Sequence, residues 1–476
     1  MTPSITRTTR NRVGAVALTV TLALTAAACG QKAGVEQAYP AGVAVAPDGS
    51  VVGGVDAQGN PLAPGAPGAG GSGVGAGSGS STASGGSGSG SGSGAGGEAA
   101  LPTGATAGRG DTTGVTDDTI KIGVHAPVTG AAAIPQQSFE RAVGVYFDYV
   151  NRRGGFFGRK VEVIFEDDQF RPDVARTKCK EMAEQQKVFA LIGGAGSDQI
   201  DACARYAASV GVPYLSAGVH ETRPGQGALA SLPTYFAVSL SYEQQVPLLS
   251  RLYSEEFGGE TVVVLTADND SLDNYHSVVA SAISKAAGDD LAYEDRVPKN
   301  VQSEGVAIGT EICNSGAKAV VWNASPSSLL NVVKSMPCRV TFMGPGLTNG
   351  LNVVAQVGCP NLDGAMFYST FPGMDVMRQN AKFVQAYKEK NDGANPDDIG
   401  AAIYAIESTV GAMLQASGKN LSRQGFMSAI ARVKRFNAGV LPPTNFTSRL
   451  GGTAMHLLQA DCDRQEFVTV RQNERP

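Results

Sequence analysis

From Thr119 onward the chain alternates short apolar, β-rich runs with amphipathic helical stretches, and this rhythm restricts the fold more than any other feature. Strands are expected at 120–124, 161–165, 189–192 and 214–216. Helices are expected between them at 139–151, 173–186 and 198–210. The 139–151 stretch places Ala142, Val145, Tyr146 and Tyr149 on one face. Strands interleaved with helices of 10–15 residues make βαβ units, and right-handed crossovers then give a parallel sheet. The rhythm restarts after Tyr242: helix to 256, strand 261–265, helices 275–287 and 302–315, strand 319–322, helix 327–335, strand 340–343. Helices at 381–390, 399–417 and 422–433 follow, then two β-like segments, 455–458 and 466–470, joined as a hairpin through 461–464. The expectation is an α/β protein of two Rossmann-like lobes.

What precedes the rhythm is of another kind. Arg7, Arg10 and Arg12 lead into an apolar run from Val13 to Leu24, and Thr25-Ala26-Ala27-Ala28 then precede Cys29. A basic start, a short apolar core and small residues make an export signal over 1–28. Cys29 behind small residues resembles a bacterial lipobox, with Ala26 where Leu is usual; the resemblance implies that Cys29 is lipidated. An ordinary cleaved signal is the alternative, and both readings export the chain. Between Gly65 and Gly97, 16 of 33 positions are Gly, a composition with too little to bury to offset its ordering entropy. The stretch 29–113 is therefore expected to be a disordered tether, with an r.m.s. reach of roughly 45–50 Å for about 75 residues.

The net charge is −5, with 38 Lys and Arg interspersed among 43 Asp and Glu, which argues against a nucleic-acid partner. No apolar run of 18 residues follows the N-terminus, and the end at 472–476 adds no second span. A multi-span protein or a transmembrane receptor is therefore not expected. Six cysteines remain besides Cys29: Cys179, Cys203, Cys313, Cys338, Cys359 and Cys462. An even count in an exported chain suggests disulfides, and six cysteines allow 15 connectivities. The sequential one pairs 179 with 203, 313 with 338, and 359 with 462. No CxxC or Cys/His cluster supports zinc.

In open parallel sheets, ligands bind beyond the carboxyl ends of the strands. The segments there are His125 to Gly130, which contains Thr129; Gly193-Gly194-Ala195-Gly196-Ser197-Asp198; and Ala217-Gly218-Val219-His220. In the second lobe they are Ala267 to Ser271, Asn323-Ala324-Ser325-Pro326 and Gly344-Pro345-Gly346. Around Gly196, glycine permits close backbone approach, Ser197 offers a hydroxyl, and a helix N-terminus favours an anion. The plainer alternative is that Ser197 caps its own helix. No third glycine completes a dinucleotide fingerprint, and no nucleophile elbow, P-loop or HExxH motif is present, so neither a cofactor nor a catalytic step is expected. His125, His220 and His276 fall near the expected cleft as polar wall or, less simply, as anion or metal ligands. Trp322 either stacks on a ligand or packs.

The string Gly114-Val115-Thr116-Asp117-Asp118-Thr119-Ile120-Lys121-Ile122-Gly123 resembles the opening of type I solute-binding proteins, the branched-chain amino-acid receptors of ABC importers. So do Asn151 to Val161 with Glu166-Asp167-Asp168, and Phe342-Met343-Gly344-Pro345. The resemblance implies parallel-sheet lobes joined by a three-segment hinge, 114–240 with part of 372–445 and 241–371 with part of 446–476. It also implies a monomer on the outer face of the cytoplasmic membrane, closing on a small solute and passing it to an ABC permease. It maps a carboxylate-holding loop onto Gly194, Ala195, Gly196 and Ser197, and further contacts onto Gly218, His220, Ser271 and Ser325. Where amino-acid receptors of the family carry an acid for the ligand's ammonium group, this chain has Gly346, with Asp268, Asp270 and Asp273 as the nearby acids. Gly346 cannot take that group, which counts against a free α-amino acid and leaves amides, urea-like solutes, carboxylates and aromatic acids open. The alternatives to an importer's receptor are a sensory lipoprotein that signals through a partner and, less readily, an enzyme on a Rossmann-like scaffold.

Overall fold

The computed structural model describes residues 44–45, 51–52, 110–130, 134–216, 229–346 and 348–476. The export signal, Cys29, the Gly-rich tract, Gly218 and His220 lie outside them. The described residues belong to one unit, Glu36–Pro476. Its first elements are a two-residue antiparallel pair, β1 (Ala44–Val45) and β2 (Val51–Val52).

Two sheets then follow. The first contains β3 (Thr119–Ala126), β4 (Lys160–Asp167), β5 (Ala190–Gly193), β6 (Tyr214–Ser216) and β7 (Tyr235–Ala237), all parallel, in the order β4-β3-β5-β6-β7. The second contains β8 (Val262–Ala267), β9 (Leu291–Val297), β10 (Ala319–Asn323), β11 (Thr341–Gly344), β12 (Met366–Ser369), β13 (Met455–Asp461) and β14 (Glu466–Glu474). Its order is β14-β13-β12-β11-β10-β8-β9, parallel except that β13 runs against both neighbours. β8 and β10 are buried throughout, as strands covered on both faces must be, which is why they read as unbroken Val-rich runs.

Three passages join the sheets: after β7, after β12, and back into β13. They are tied together where the Thr370 hydroxyl donates to Ser239 Oγ at 2.7 Å and Gly451 N–H donates to the Ala237 carbonyl. Between the second and third passages, helices Ala381–Lys390, Asp398–Ser417 and Arg423–Ile430 return to the core of the five-stranded sheet, where Phe383, Tyr404, Met413 and Phe426 meet Ile122, Phe147 and Phe189. The Asp398–Ser417 helix is long and apolar enough to cross a membrane, but 18 of its 20 residues are buried in this core. Arg423, buried beneath the same sheet, donates to the Val188 and Phe189 carbonyls and pairs with Asp111.

The cysteines form Cys179–Cys203, Cys313–Cys338 and Cys359–Cys462, the sequential connectivity. The expected helix over 139–151 is two helices, Gln136–Ala142 and Val145–Asn151. They break at Gly144 because the Glu407 carboxylate draws the backbone N–H groups of Gly144 and Tyr146 to itself. β7, β9 and β12 were absent from the periodicity. β7 and β12 are three and four residues long, and β9 carries Glu294, Asp295 and Arg296 at the sheet edge, where no burial pattern marks it.

Candidate ligand-binding cleft

The carboxyl ends of β5, β8 and β10 converge on a small cleft between the two sheets. From the first lobe it is lined by Phe170, Ala195, Gly196 and Ser197. From the second come Tyr242, Asn269, Lys299, Asn323 and Ser325, around a cavity of ≈ 60 Å³.

The first-lobe wall is built by a forced turn. Gly194 has φ +94°, and a Cβ there would lie 2.4 Å from Ile200 Cγ1, so only glycine turns the chain off β5 at this point. Gly196 then occupies the N-cap of the helix Ser197–Ser209, which has no side-chain cap. The Ser197 hydroxyl does not cap its helix; it meets Ser271 Oγ at 2.7 Å, across the cleft. Ser271 is itself fixed by Asn269 Oδ1, which accepts from its hydroxyl at 3.0 Å and its N–H at 3.1 Å. Beside them Lys299 pairs with Asp198, also across the cleft.

The second-lobe wall follows β10. Asn323 ends the strand only 4% exposed, and its Nδ2 finds no hydrogen-bond partner among the described residues. Ser325 caps the helix Pro326–Val333, its Oγ accepting from Ser328 N–H at 3.2 Å. The lining therefore offers Asn323 Nδ2, the Lys299 ammonium alongside its Asp198 partner and two helix N-termini as donors, whereas the Ser197 hydroxyl proton goes to Ser271, whose own goes to Asn269. The carboxylate beside this lining, Asp198, is paired with Lys299. Such a surface is matched to an oxyanion or carbonyl oxygen, because helix N-termini and unpaired N–H groups all favour negative charge.

Gly346 has φ +101°, and a Cβ there would press within 3.2 Å of the Tyr242 ring. A side chain at this position is strained by the backbone as well as by the ring. Asp268, Asp270 and Asp273 are exposed, and Asp273 pairs with Arg296 at 2.8 Å. Thr129 is hydrogen-bonded to Asp167 and lies outside the lining.

The remaining sequence candidates have partners of their own. His125 is fully buried, its Nδ1 2.8 Å from Asp168 Oδ2 and its Nε2 2.9 Å from Tyr214 Oη. It approaches Cys179 and Cys203, a grouping of metal-ligand type, but the disulfide consumes both thiolates. His276 meets Thr266 Oγ1 at 2.7 Å, and burial, then the Arg296 charge, lowers its pKa. Trp322 is fully buried edge-on against Phe342, so it packs in the core. Lys299 and Tyr242 were missed. Neither sits in a loop directly after a strand of the sequence reading, and β9, which delivers Lys299, was not legible.

A second chamber opens behind the first. It holds ≈ 80 Å³ between β3, β5 and the Asp398–Ser417 helix, with Ile134, Phe139, Ile192, Leu351, Ile403 and Ile406 among its walls. Ala195 and Thr348 line both spaces.

Two parallel-sheet lobes, three passages between them and a donor-lined cleft at the strand ends define a bilobal binding protein. Residues 119–463 match the family model described as periplasmic binding protein, and the chain belongs to that family. Its fold resembles a fatty acid ABC transporter substrate-binding protein from Thermomonospora curvata at 18% identity and TM-score 0.64, covering 77% of this chain and 95% of that one. It also resembles a solute-binding protein of an ABC transporter from Rhodopseudomonas palustris in complex with 3,4-dihydroxybenzoic acid (16% identity, TM-score 0.61, 76% and 99% covered). A third likeness is the isoleucine-bound branched-chain amino acid transporter substrate-binding protein of Streptococcus pneumoniae (18% identity, TM-score 0.60, 74% and 100% covered). No curated protein matches the sequence.

Proposed function

We propose that the chain is an extracytoplasmic lipoprotein that captures a small carboxylate-bearing solute between its lobes and hands it to an ABC permease, with no catalytic step. The observation that carries this reading is the cleft lining among the described residues, in which Asn323 Nδ2 lacks a partner beside two helix N-termini, while the acid at its edge, Asp198, is already taken up by Lys299. A buried ammonium without a paired charge or several acceptors is costly, so the ligand is a carboxylate without a free α-amino group. The named ligands of the structural neighbours, a dihydroxybenzoic acid and a fatty acid class as well as isoleucine, span both chemistries.

The test is a thermal-shift and calorimetric panel that compares each amino acid with its deaminated acid and its amide. A ligand at 100 times its Kd stabilises the fold by about 2.7 kcal/mol. Acids should shift the melting curve and their amino-acid counterparts should not. A preference for the amino acids overturns the reading.

A further inference from the structure

We infer that the apolar chamber behind the cleft is a tail subsite, and that the ligand is a monocarboxylate with a short uncharged apolar tail of about three non-hydrogen atoms. This rests on the carboxylate reading above and adds the other end of the molecule. Three observations carry it. The chamber adjoins the polar cleft, because Ala195 and Thr348 face both. A carboxylate held at the Ser197 helix N-terminus and Asn323 therefore has an apolar space next to it.

The walls are hydrocarbon on nearly every side: Phe139, Ile192, Leu351, Ile399, Ile403 and Ile406. Of the polar residues that line it, Thr348 stands at the boundary with the cleft, and Glu407 and His125 are already committed. Glu407 accepts from the Gly144 and Tyr146 N–H groups, and His125 is held between Asp168 and Tyr214. Apolar cavities of this kind stay dry and take apolar guests. The third observation is size. At ~30 Å³ per water-sized body, a volume of ≈ 80 Å³ holds about three such bodies, about half of what a benzene ring occupies. That is a short alkyl chain.

The experiment uses the purified full chain and calorimetry with straight-chain monocarboxylates of two to twelve carbons, together with benzoate and phenylacetate. Affinity should rise about fourfold per added methylene while the chamber fills, as expected from hydrocarbon burial, and then level off or fall. Comparison of alkyl with aryl acids separates a chain-shaped from a ring-shaped guest. Ala402 lines the chamber, so Ala402→Phe fills it and should lower affinity for four- and five-carbon acids at least tenfold while leaving that for acetate unchanged. Ile406→Ala enlarges the chamber and should move the optimum to longer acids; it decides the matter if Ala402→Phe does not fold. Acids that bind with the same affinity at every length, or an optimum that neither variant moves, would sink the tail subsite and leave the carboxylate reading standing. Binding by no acid of any length would overturn both.

Discussion

Asn323 carries opposite consequences for binding and for stability. Its buried Nδ2 has no partner among the described residues, and a buried donor left unpaired costs about 1–3 kcal/mol. Asn323→Ala should therefore leave the ligand-free melting temperature unchanged or raised, while weakening carboxylate binding tenfold or more, since hydrogen bonds to charged groups contribute about 1.5–3 kcal/mol. A melting temperature lowered together with unchanged affinity would make Asn323 a structural residue. A second residue-scale expectation concerns pH. Burial pushes the Glu407 carboxyl up to about 8, against the lowering effect of the Gly144 and Tyr146 N–H groups. Burial, then the neighbouring Asp397 charge, pushes Asp398 up to about 7. Because these folded-state values lie above the unfolded ones, the folded protein holds protons that the unfolded chain has released. Their contribution is complete below about pH 4 and is lost as pH rises towards 8, on the order of a few kcal/mol in all. Glu407→Gln should flatten the fall in denaturation midpoint between pH 5 and 9; an equally steep fall in the variant would show that Glu407 does not cause it. Single residues were only partly legible in the sequence. The turn at Gly194 to Ser197 was readable because glycines before a helix start restrict the chemistry there. The role of Ser197 was not, since its contact with Ser271 is 74 positions away and no local rule reaches that far.

Among the elements, those with strong periodicity or an unbroken apolar run were readable, and those set by tertiary contact were not. The helix Ala381–Lys390 and the β13–β14 hairpin follow from local pattern alone. The break at Gly144 is made by Glu407, 263 residues away, and the edge strand β9 is held by pairing with β8 despite its charges. The disulfides tie elements together over very different spans. Cys313–Cys338 closes a separation of 25 residues and Cys359–Cys462 one of 103. In the chain-entropy model the longer loop contributes about 4.7 kcal/mol and the shorter about 3.5. Chemical denaturation of the paired Cys→Ser variants should rank them in that order. The reverse ranking would show that the bridges act through the native state instead.

The lobes meet at identifiable points: Ser197 with Ser271, Asp198 with Lys299, and the Asp398 carboxylate with the N–H of Asn352. These contacts favour the closed arrangement before a ligand adds its own bridge, and a ligand shifts the population only by its differential affinity for that state. Ser271→Ala combined with Lys299→Ala should raise the radius of gyration of the ligand-free chain in solution scattering. It should also weaken ligand binding a few-fold and lower the melting temperature, because Asp198 is only 6% exposed and Lys299→Ala takes the cation from a buried carboxylate. An unchanged radius would mean that the other contacts set the closure. The two-lobed architecture was legible from the alternation of strands and helices, since a parallel sheet has few ways to be covered. The geometry of closure was not, because it depends on side chains that meet only after both lobes have formed.

The clamp of Asp111 on Arg423 has a mechanical consequence. Arg423 is bolted to the Val188 and Phe189 carbonyls beneath the five-stranded sheet. Any pull transmitted along the chain from residues before Asp111 therefore lands on that lobe and bypasses the hinge. Were the chain held by its N-terminal residues, the five-stranded lobe would be the stator and the seven-stranded lobe the moving jaw, and load would leave the bite of the jaw unchanged.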